Sequence, residues 1–273
     1  MTTNFNNEDS IQYEYDGSDS YDDRQYYMQG NDPFSNKKLS NSDYTQYAIE
    51  HLEEIHVDNI NYPEQYKSFW GSKLPQTLFC MGNNTLLRNK IVMVCGSRNV
   101  SELGLETAYK CGRLIAEMGF TVASGYARGV DMAAHQGALE GGGDTIAILP
   151  YGLGKFKKNG ALSSTFDFNK FLAVSELPVT YPFTAGSALR RNKLLVALSQ
   201  AVIVVESQEK GGTWFSARYA GKKEKPLFFF EGMRKDVAPK LRSIGGVRLQ
   251  IKNGAPDLRK IEKLFNKRNM DEN

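Results

Sequence analysis

The sequence predicts an α/β protein with a doubly wound, mostly parallel sheet, an extended Rossmann-like fold that follows a disordered acidic N-terminal tail. From about residue 90 onwards, short apolar runs alternate with amphipathic segments. Strands of a parallel sheet have this apolar composition because helices cover both of its faces. The 273 residues are 41% hydrophobic and 24% charged, which is ordinary for a globular protein with a sizeable core.

The predicted elements follow one another as strand, helix, strand. Ser101 is a predicted N-cap for the first helix of this series, which stops at Gly119. The other predicted helices are 131–140, 189–198 and 214–221. The predicted strands are 90–96, 120–124, 145–149, 171–175, 201–206 and 226–230. A helix near 43–55 precedes this series, and a strand near 247–251 and a helix near 258–265 follow it.

The N-terminal stretch differs from the rest of the chain. Residues 1–42 have almost no aliphatic side chains, so they cannot bury enough apolar surface to offset their conformational entropy. Eight carboxylates and one arginine give residues 1–36 a net charge of −7, which leaves +10 on residues 37–273. We predict a disordered acidic tail over 1–42 and a basic domain over 43–273, with its core at about 62–232 and an extension at 233–273.

Several classes of protein are not expected. No run reaches the roughly 18 apolar residues of a membrane helix, and the N-terminus has no basic-then-apolar signal, so we expect a cytoplasmic protein without membrane contacts. The three cysteines, Cys80, Cys95 and Cys111, form no C-x-x-C pair and are expected to be small buried hydrophobes.

Four segments rich in glycine or cations lie at the predicted ends of strands or starts of helices. Ligands of open α/β sheets bind at the carboxyl ends of strands, where helix N-termini offer N–H groups. Gly96, Ser97, Arg98 and Asn99 follow the first strand. The glycine allows the backbone to approach a phosphate, Ser97 offers a hydroxyl and Arg98 a charge. Their spacing is not that of the dinucleotide fingerprint.

The other three segments extend this set of candidate phosphate contacts. Cations at the predicted start of the helix 189–198 oppose its dipole, which favours a bound anion at that end. We expect Arg98 and Arg191 to contact phosphates and to contribute little to folding. The further candidates are Gly125, Arg128 and Gly129, then Arg190, Arg191, Asn192 and Lys193, and finally Gly212 and Thr213.

Asp131 and His135 lie one helical turn apart and are predicted to cap and orient a helix, not to form a catalytic pair. None of the segments has a nucleophile with an evident base, paired carboxylates or the spacing of metal ligands. The sequence therefore predicts no catalytic residue, no metal site and no cofactor.

Together these segments resemble the DprA/Smf family of DNA-processing proteins. The most specific match is SGYARGVDMAAH at 124–135, in which Tyr126 replaces a leucine-like residue. Weaker matches occur in family order at 62–63, 78–83, 96–98, 137–139, 175–178, 190–193, 198–199 and 211–213. The resemblance implies binding of single-stranded DNA without sequence preference, homodimerisation, and delivery of DNA to a RecA-type recombinase in natural transformation or recombination.

Two other functions use similar phosphate-binding loops. A nucleotide hydrolase of the LOG type has the pattern PGGxGTxxE, whereas here the stretch from Lys210 has no carboxylate before Glu224. A small-nucleotide sensor would use the same pocket as single-stranded DNA. Incubation with nucleoside monophosphates distinguishes the hydrolase, and binding of oligonucleotides against free nucleotides distinguishes the sensor.

The charge of the tail leads to a test. If residues 1–36 compete with DNA for the basic domain, their deletion should lower the Kd for single-stranded DNA modestly at low salt, about 0.01 M, and leave the fold intact. The difference should disappear at 0.15 M salt, since the Debye length shortens from about 30 Å to about 8 Å. An unchanged Kd at low salt, with an unchanged melting temperature, would show that the tail does not compete.

Overall fold

The computed structural model describes residues 46, 49–70, 74–157, 159–162, 166–230 and 236–271. Its strands are β1 (Glu53–His56), β2 (Thr77–Gly82), β3 (Ile91–Cys95), β4 (Thr121–Ser124), β5 (Thr145–Ile148), β6 (Phe171–Ser175), β7 (Ala201–Val204), β8 (Leu227–Phe230), β9 (Val247–Leu249), β10 (Ile251–Lys252) and β11 (Ala255–Pro256). Its helices are α1 (Glu64–Trp70), α2 (Glu102–Glu117), α3 (Val130–Glu140), α4 (Ala185–Leu198), α5 (Gly211–Lys222), α6 (Ala238–Ser243) and α7 (Arg259–Asp271).

The first nine strands form one sheet in the order β1-β2-β6-β5-β4-β3-β7-β8-β9. All neighbouring pairs from β6 to β9 are parallel, and β2 is antiparallel to both β1 and β6. The chain builds outwards from β3 in one direction and then from β7 in the other. This confirms the predicted fold class and creates a topological switch point between β3 and β7, where open α/β sheets bind ligands.

Helices cover both faces of the sheet, as the alternation of buried side chains along β3 shows. Ile91, Met93 and Cys95 pack in a cluster with apolar residues of α4 and α5. Val92 and Val94 pack on the other face with residues of α2, α3 and α7. Because every residue of β3 is buried, its sequence is apolar without alternation, which is why the strand was recognisable.

Three sequence predictions require correction or lie outside the described residues. The helix expected near 43–55 is wrong at its C-terminal end, because β1 pairs there with β2 and places Ile55 opposite Leu78 in the core. The helix expected to begin at 189 begins instead at Ala185, where Thr184 and Ser187 form a capping box. The predicted disordered tail, 1–42, lies outside the described residues, as does the start of the helix near 43–55.

Of the helices in the described ranges, none combines the length and the apolar composition that crossing a membrane requires.

His135 belongs to the packed interior of this fold. The imidazole is completely buried next to Tyr126 and Phe171. Its Nδ1 is hydrogen-bonded to the hydroxyl of Thr145 at 2.6 Å. Burial lowers the pKa of His135 to about 3, and the positive charge of Arg191 contributes in the same direction. The native protein therefore keeps this ring neutral at pH values at which the unfolded chain protonates it.

This pKa predicts a loss of stability in mild acid. Between pH 6.5 and pH 3 the unfolded state binds a proton at His135 that the native state does not, so the free energy of unfolding falls as pH falls. The loss from His135 should reach about 2 kcal/mol at pH 5. Urea unfolding of the wild type and of a His135→Asn variant between pH 7.5 and pH 5 measures it.

The variant removes the contribution of His135 and keeps those of other groups. Burial raises the pKa values of Asp131 and Glu176, which gives a dependence of opposite sign in both proteins, so only the difference between the two curves reports on His135. Parallel curves would show that the ring titrates alike in both states.

Candidate functional site

A cleft of about 180 Å³ lies at the carboxyl ends of β3, β4 and β7, at the topological switch point. Its lining comes from the loops that follow these three strands, from α4 and the residues just before it, and from the first turns of α5. The structure brings together these predicted site residues in its lining: Gly96, Ser97, Arg98, Asn99, Gly125, Asp131, Arg191, Asn192, Gly212 and Thr213.

The loop after β3 is held in place by residues that follow β7. The backbone N–H of Ser97 donates to the carbonyl of Glu206 at 2.8 Å, and the hydroxyl of Thr213 donates to the carbonyl of Gly96 at 2.8 Å. The buried carboxylate of Glu206 accepts from the hydroxyl of Ser101, the N-cap of α2, at 2.8 Å. The two sides of the switch point are therefore bonded to each other across the cleft.

A second set of bonds fixes the loop after β4 at Gly125. The carboxylate of Asp131 accepts from the backbone N–H groups of Gly125, at 3.2 Å, and of Ala127, at 3.4 Å. The guanidinium of Arg191 donates through Nη1 to the carbonyl of Gly125 and, at 3.0 Å, to the carbonyl of Ile148. Both peptide groups of Gly125 are thus held by side chains of opposite charge.

We call the hold of Asp131 and Arg191 on Gly125 the clamp. The clamp is buried, and the charge of each of its two side chains affects the other. Arg191 is only 6% exposed. Burial raises the pKa of Asp131, and the nearby charge of Arg191 works against that rise, with a smaller contribution from Arg98. A side chain at position 125 would enter the space that Arg191 and Asp131 occupy, since a Cβ there would lie 2.7 Å from Asp131 Oδ2. The clamp therefore requires glycine at this position.

The clamp corrects the predicted roles of Asp131 and His135. Asp131 does not cap α3: the N-cap is Gly129, in the left-handed region with φ of 81°, and no side chain bonds there as a cap. His135 bonds to Thr145 and does not line the cleft, whereas Asp131 does.

The N-terminus of α5 supplies backbone donors to the cleft. Gly211, Gly212 and Thr213 form its first turn and line the cleft, and the N-cap, Lys210, makes no side-chain cap bond. The amide of Asn192 donates to the carbonyl of Gly212 at 3.2 Å and joins this turn to α4. A helix N-terminus with the partial positive charge of its dipole attracts anions, and Lys210 adds a full charge beside it.

Arg190 and Lys193 lie on other faces of α4 and do not line the cleft. Arg190 pairs with the nearly buried carboxylate of Glu176 at 2.6 Å and lies over the ring of Trp70, and Lys193 lies over the ring of Tyr219. These cations do not lie at the N-terminus of the helix, so the predicted opposition to its dipole is wrong. Because α4 begins at Ala185, residues 190–193 occupy its second and third turns and point in different directions around the helix.

Arg128 and Gly129 are also absent from the lining. A Cβ on Gly129 would lie 2.5 Å from the carbonyl oxygen of Ser97, so this glycine allows the loops after β3 and β4 to touch. Sequence reasoning missed Phe183, Ala185, Leu189 and Gln208, which do line the cleft. The signal for the first three was the pair Thr184 and Ser187, which places the helix start and the preceding loop correctly.

The thiol and two of the hydroxyls in the lining are held within the fold. Cys95 is buried, and burial raises the pKa of its thiol, so it is no thiolate nucleophile. The hydroxyls of Ser97 and Thr213 donate to the carbonyls of Asn99 and Gly96. Within the described ranges, no group of three or more His, Cys, Asp or Glu side chains is arranged to hold a metal ion.

Comparison with known proteins places these features in a family. The family described as DNA recombination-mediator protein A matches residues 54–269. Protein Smf of Escherichia coli is 32% identical over 180 residues, which cover 65% of this chain and 48% of Smf. DNA processing protein DprA of Streptococcus pneumoniae is 33% identical over 165 residues, which cover 58% of this chain and 56% of DprA. The chain spans about half the length of these curated relatives.

Two solved structures share the fold. DNA processing protein A of Helicobacter pylori, a structure described for its single-stranded DNA binding mode, is 28% identical with a TM-score of 0.65, and the match covers 80% of this chain and 98% of that one. DprA of S. pneumoniae is 26% identical with a TM-score of 0.64, and the match covers 74% and 72% of the two chains.

The clamp predicts that Arg191 stabilises the fold, contrary to the expectation from sequence. An Arg191→Ala change leaves the carboxylate of Asp131 and two backbone carbonyls in a buried place without this cation, so we expect a loss of about 3 kcal/mol in the free energy of unfolding. Arg113→Ala is the matched control, because Arg113 is half-exposed on α2 and pairs with the neighbouring Glu117. It should cost less than about 1 kcal/mol. Equal, small losses in urea unfolding would contradict the clamp.

Proposed function

Because the chain belongs to the DNA recombination-mediator protein A family, we propose that it binds single-stranded DNA at the cleft between β3 and β7 and presents it to a RecA-type recombinase without covalent chemistry. The observation that carries the proposal is the convergence of the loops after β3, β4 and β7 with the N-terminus of α5 at one switch point. The description of the H. pylori relative supports the choice of ligand.

The charge of the lining favours a polyanion. Arg98, Arg191 and Lys210 are cations, and Asp131 is the one carboxylate among the residues that line the cleft. Arg98 and Lys210 line the cleft, and they are the cations that we assign to phosphates, together with the N–H groups at the start of α5. The contact of Arg191 with a phosphate stays a prediction.

The size of the cleft favours a strand over an enclosed nucleotide. Sites that bury a small ligand usually have volumes of about 300–1,000 Å³, and this cleft has about 180 Å³. A polymer needs only part of one nucleotide inside the cleft, because the rest of the strand lies along the surface. A flexible single strand can bring successive phosphates to such a depression, whereas a stiff duplex cannot follow it.

The absence of catalysis belongs to the same proposal. The hydroxyls of Ser97, Thr213 and Ser216 donate to backbone carbonyls, and Glu206, which lies on the β7 side, is bonded to Ser101. A hydrolase of the LOG type is disfavoured because α5 has no carboxylate in its first two turns. Homodimerisation, the recombinase contact, a role in natural transformation and a cytoplasmic location are proposed on the resemblance to the family.

Binding of labelled oligonucleotides tests the proposal. By fluorescence anisotropy, single-stranded DNA should bind at least about tenfold more tightly than duplex of the same length. An Arg98→Gln variant should weaken binding and reduce the slope of log affinity against log salt by about 0.7, the value for one lost phosphate contact with a single strand.

Arg113→Gln is the matched control, since it removes the same charge from the surface of α2, outside the cleft. It should leave the slope nearly unchanged. Equal affinity for single strands and duplex would contradict the proposed function, and equal slopes for the Arg98 and Arg113 variants would place the DNA elsewhere on the protein.

A further inference from the structure

Tyr126 has an unusual backbone conformation for a large, fully buried residue. Its φ of 62° lies in the left-handed region, which is unfavourable for a bulky side chain. The two other non-glycine residues with positive φ in the described ranges, Glu224 and Asn253, are exposed. A strained residue persists where the surrounding structure holds it, so the contacts of Tyr126 indicate what its conformation serves.

The side chain of Tyr126 joins the loop after β4 to the loop after β5. Its hydroxyl accepts from the backbone N–H of Asn159 at 2.9 Å and donates to the carbonyl of Lys157 at 3.3 Å. Its ring packs against Phe156, with the ring centroids 5.3 Å apart. The loop after β5 is therefore fixed relative to the carboxyl end of β4, beside the clamp.

The loop after β5 carries two lysines that lie outside the lining of the cleft. The backbone N–H of Lys155 donates to the carbonyl of Gly152, and that of Gly154 to the carbonyl of Val179, each at 3.0 Å. Lys155 is exposed, and burial lowers the pKa of the partly buried Lys157, an effect that a nearby anion reverses. Both cations thus belong to a loop whose backbone is already ordered, which reduces the entropy lost on binding.

The carboxyl edge of the sheet is basic from β3 to β5. These strands and β4 between them are neighbours, and the residues that follow them, 96–100, 125–129 and 149–157, include no Asp or Glu. Their cations are Arg98, Arg128, Lys155 and Lys157. The loop after β7 differs, because it contains the exposed carboxylate of Glu209, which pairs with Lys240. The charge along the edge therefore favours an anionic strand that runs from the cleft towards β5.

The spacing of the sheet allows one DNA strand to reach both places. Neighbouring strands of a sheet lie about 4.8 Å apart, so the ends of β3 and β5 are separated by about 10 Å. At about 3.4 Å per nucleotide of a stacked strand, about three nucleotides cover this separation. A strand with one phosphate in the cleft can therefore place a later phosphate at the loop after β5.

We infer that the loop after β5 is a second contact for the strand that occupies the cleft, in which Lys155 and Lys157 bind phosphates and Tyr126 holds the loop in position. The inference rests on the proposed function and deepens it, because it assigns the direction in which the strand leaves the cleft. It also gives the strained conformation of Tyr126 a role, since that conformation places the hydroxyl that orders the loop.

Removal of the two lysine charges tests the contact. A Lys155→Gln, Lys157→Gln double variant should bind a labelled single strand of about 16 nucleotides more weakly than the wild type. Its slope of log affinity against log salt should fall by about 1.4, the value for two lost phosphate contacts. Lys110→Gln, Lys170→Gln is the matched control, because it removes the same charge from α2 and from the residue before β6. It should leave the slope nearly unchanged.

A dinucleotide separates the loop after β5 from the cleft. It is too short to span the ends of β3, β4 and β5, so it contacts the cleft alone. In competition with the labelled strand, it should have the same inhibition constant for the wild type and for the lysine double variant. Melting temperatures of the variants show whether each one is folded.

A Tyr126→Phe change tests the positioning. The variant keeps a buried ring and loses the hydroxyl bonds to Asn159 and Lys157, so it should bind the 16-nucleotide strand about threefold more weakly. In the background of the lysine double variant, the same change should cause no further loss, because the contact that Tyr126 positions is already absent. Equal losses in both backgrounds would overturn the role of Tyr126.

The outcomes distinguish the second contact from the proposed function. If the wild type binds single strands, Arg98→Gln flattens the slope and the lysine double variant does not, the second contact is wrong and the proposed function stands. Equal losses on the 16-nucleotide strand and on the dinucleotide, or equal slopes for the lysine double variant and its control, would also overturn the second contact. If the wild type does not bind single strands, the proposed function fails first.

Discussion

The clamp of Arg191 and Asp131 on Gly125 is the constraint on which the site depends. Arg191 reaches from α4, Asp131 from the start of α3, and they hold the carbonyl and the N–H of one residue at the end of β4. Two opposite charges are buried here, and each makes the burial of the other tolerable because the charges compensate and both groups bond to the backbone of Gly125. The clamp joins helices on opposite faces of the sheet at its carboxyl edge.

The clamp residues share the lining of the cleft with the loop after β3 and the first turn of α5. Glu206 and Thr213, from the β7 side, hold the loop after β3, so the backbone that faces a ligand is already ordered. Preorganised donors lose little entropy on binding, and the N-terminus of α5 adds a fixed partial charge. This order is what the proposed binding of phosphates at the cleft requires.

Some cations of the chain stabilise the fold instead of meeting a ligand. Arg190 is paired with Glu176 and lies over Trp70, and Lys193 lies over Tyr219. They fix α4 against α1, β6 and α5, and so hold the helix from which Arg191 and Asn192 reach the cleft. The four polar residues 190–193 therefore face different parts of the protein, because successive residues of a helix point about 100° apart. Arg191 and Asn192 face the cleft, whereas Arg190 and Lys193 face neighbouring elements.

The sequence by itself determined the fold class and the strand ends at which the site lies, because fully buried strands are apolar along their whole length and glycines mark their ends. It did not determine which cations reach the cleft. That depends on the start of α4 at Ala185 and on contacts between distant residues, such as Arg191 with Gly125, 66 positions apart. Only the tertiary structure decides such contacts, because periodicity along the chain describes neighbours in sequence, whereas burial and charge pairing arise between elements that pack together.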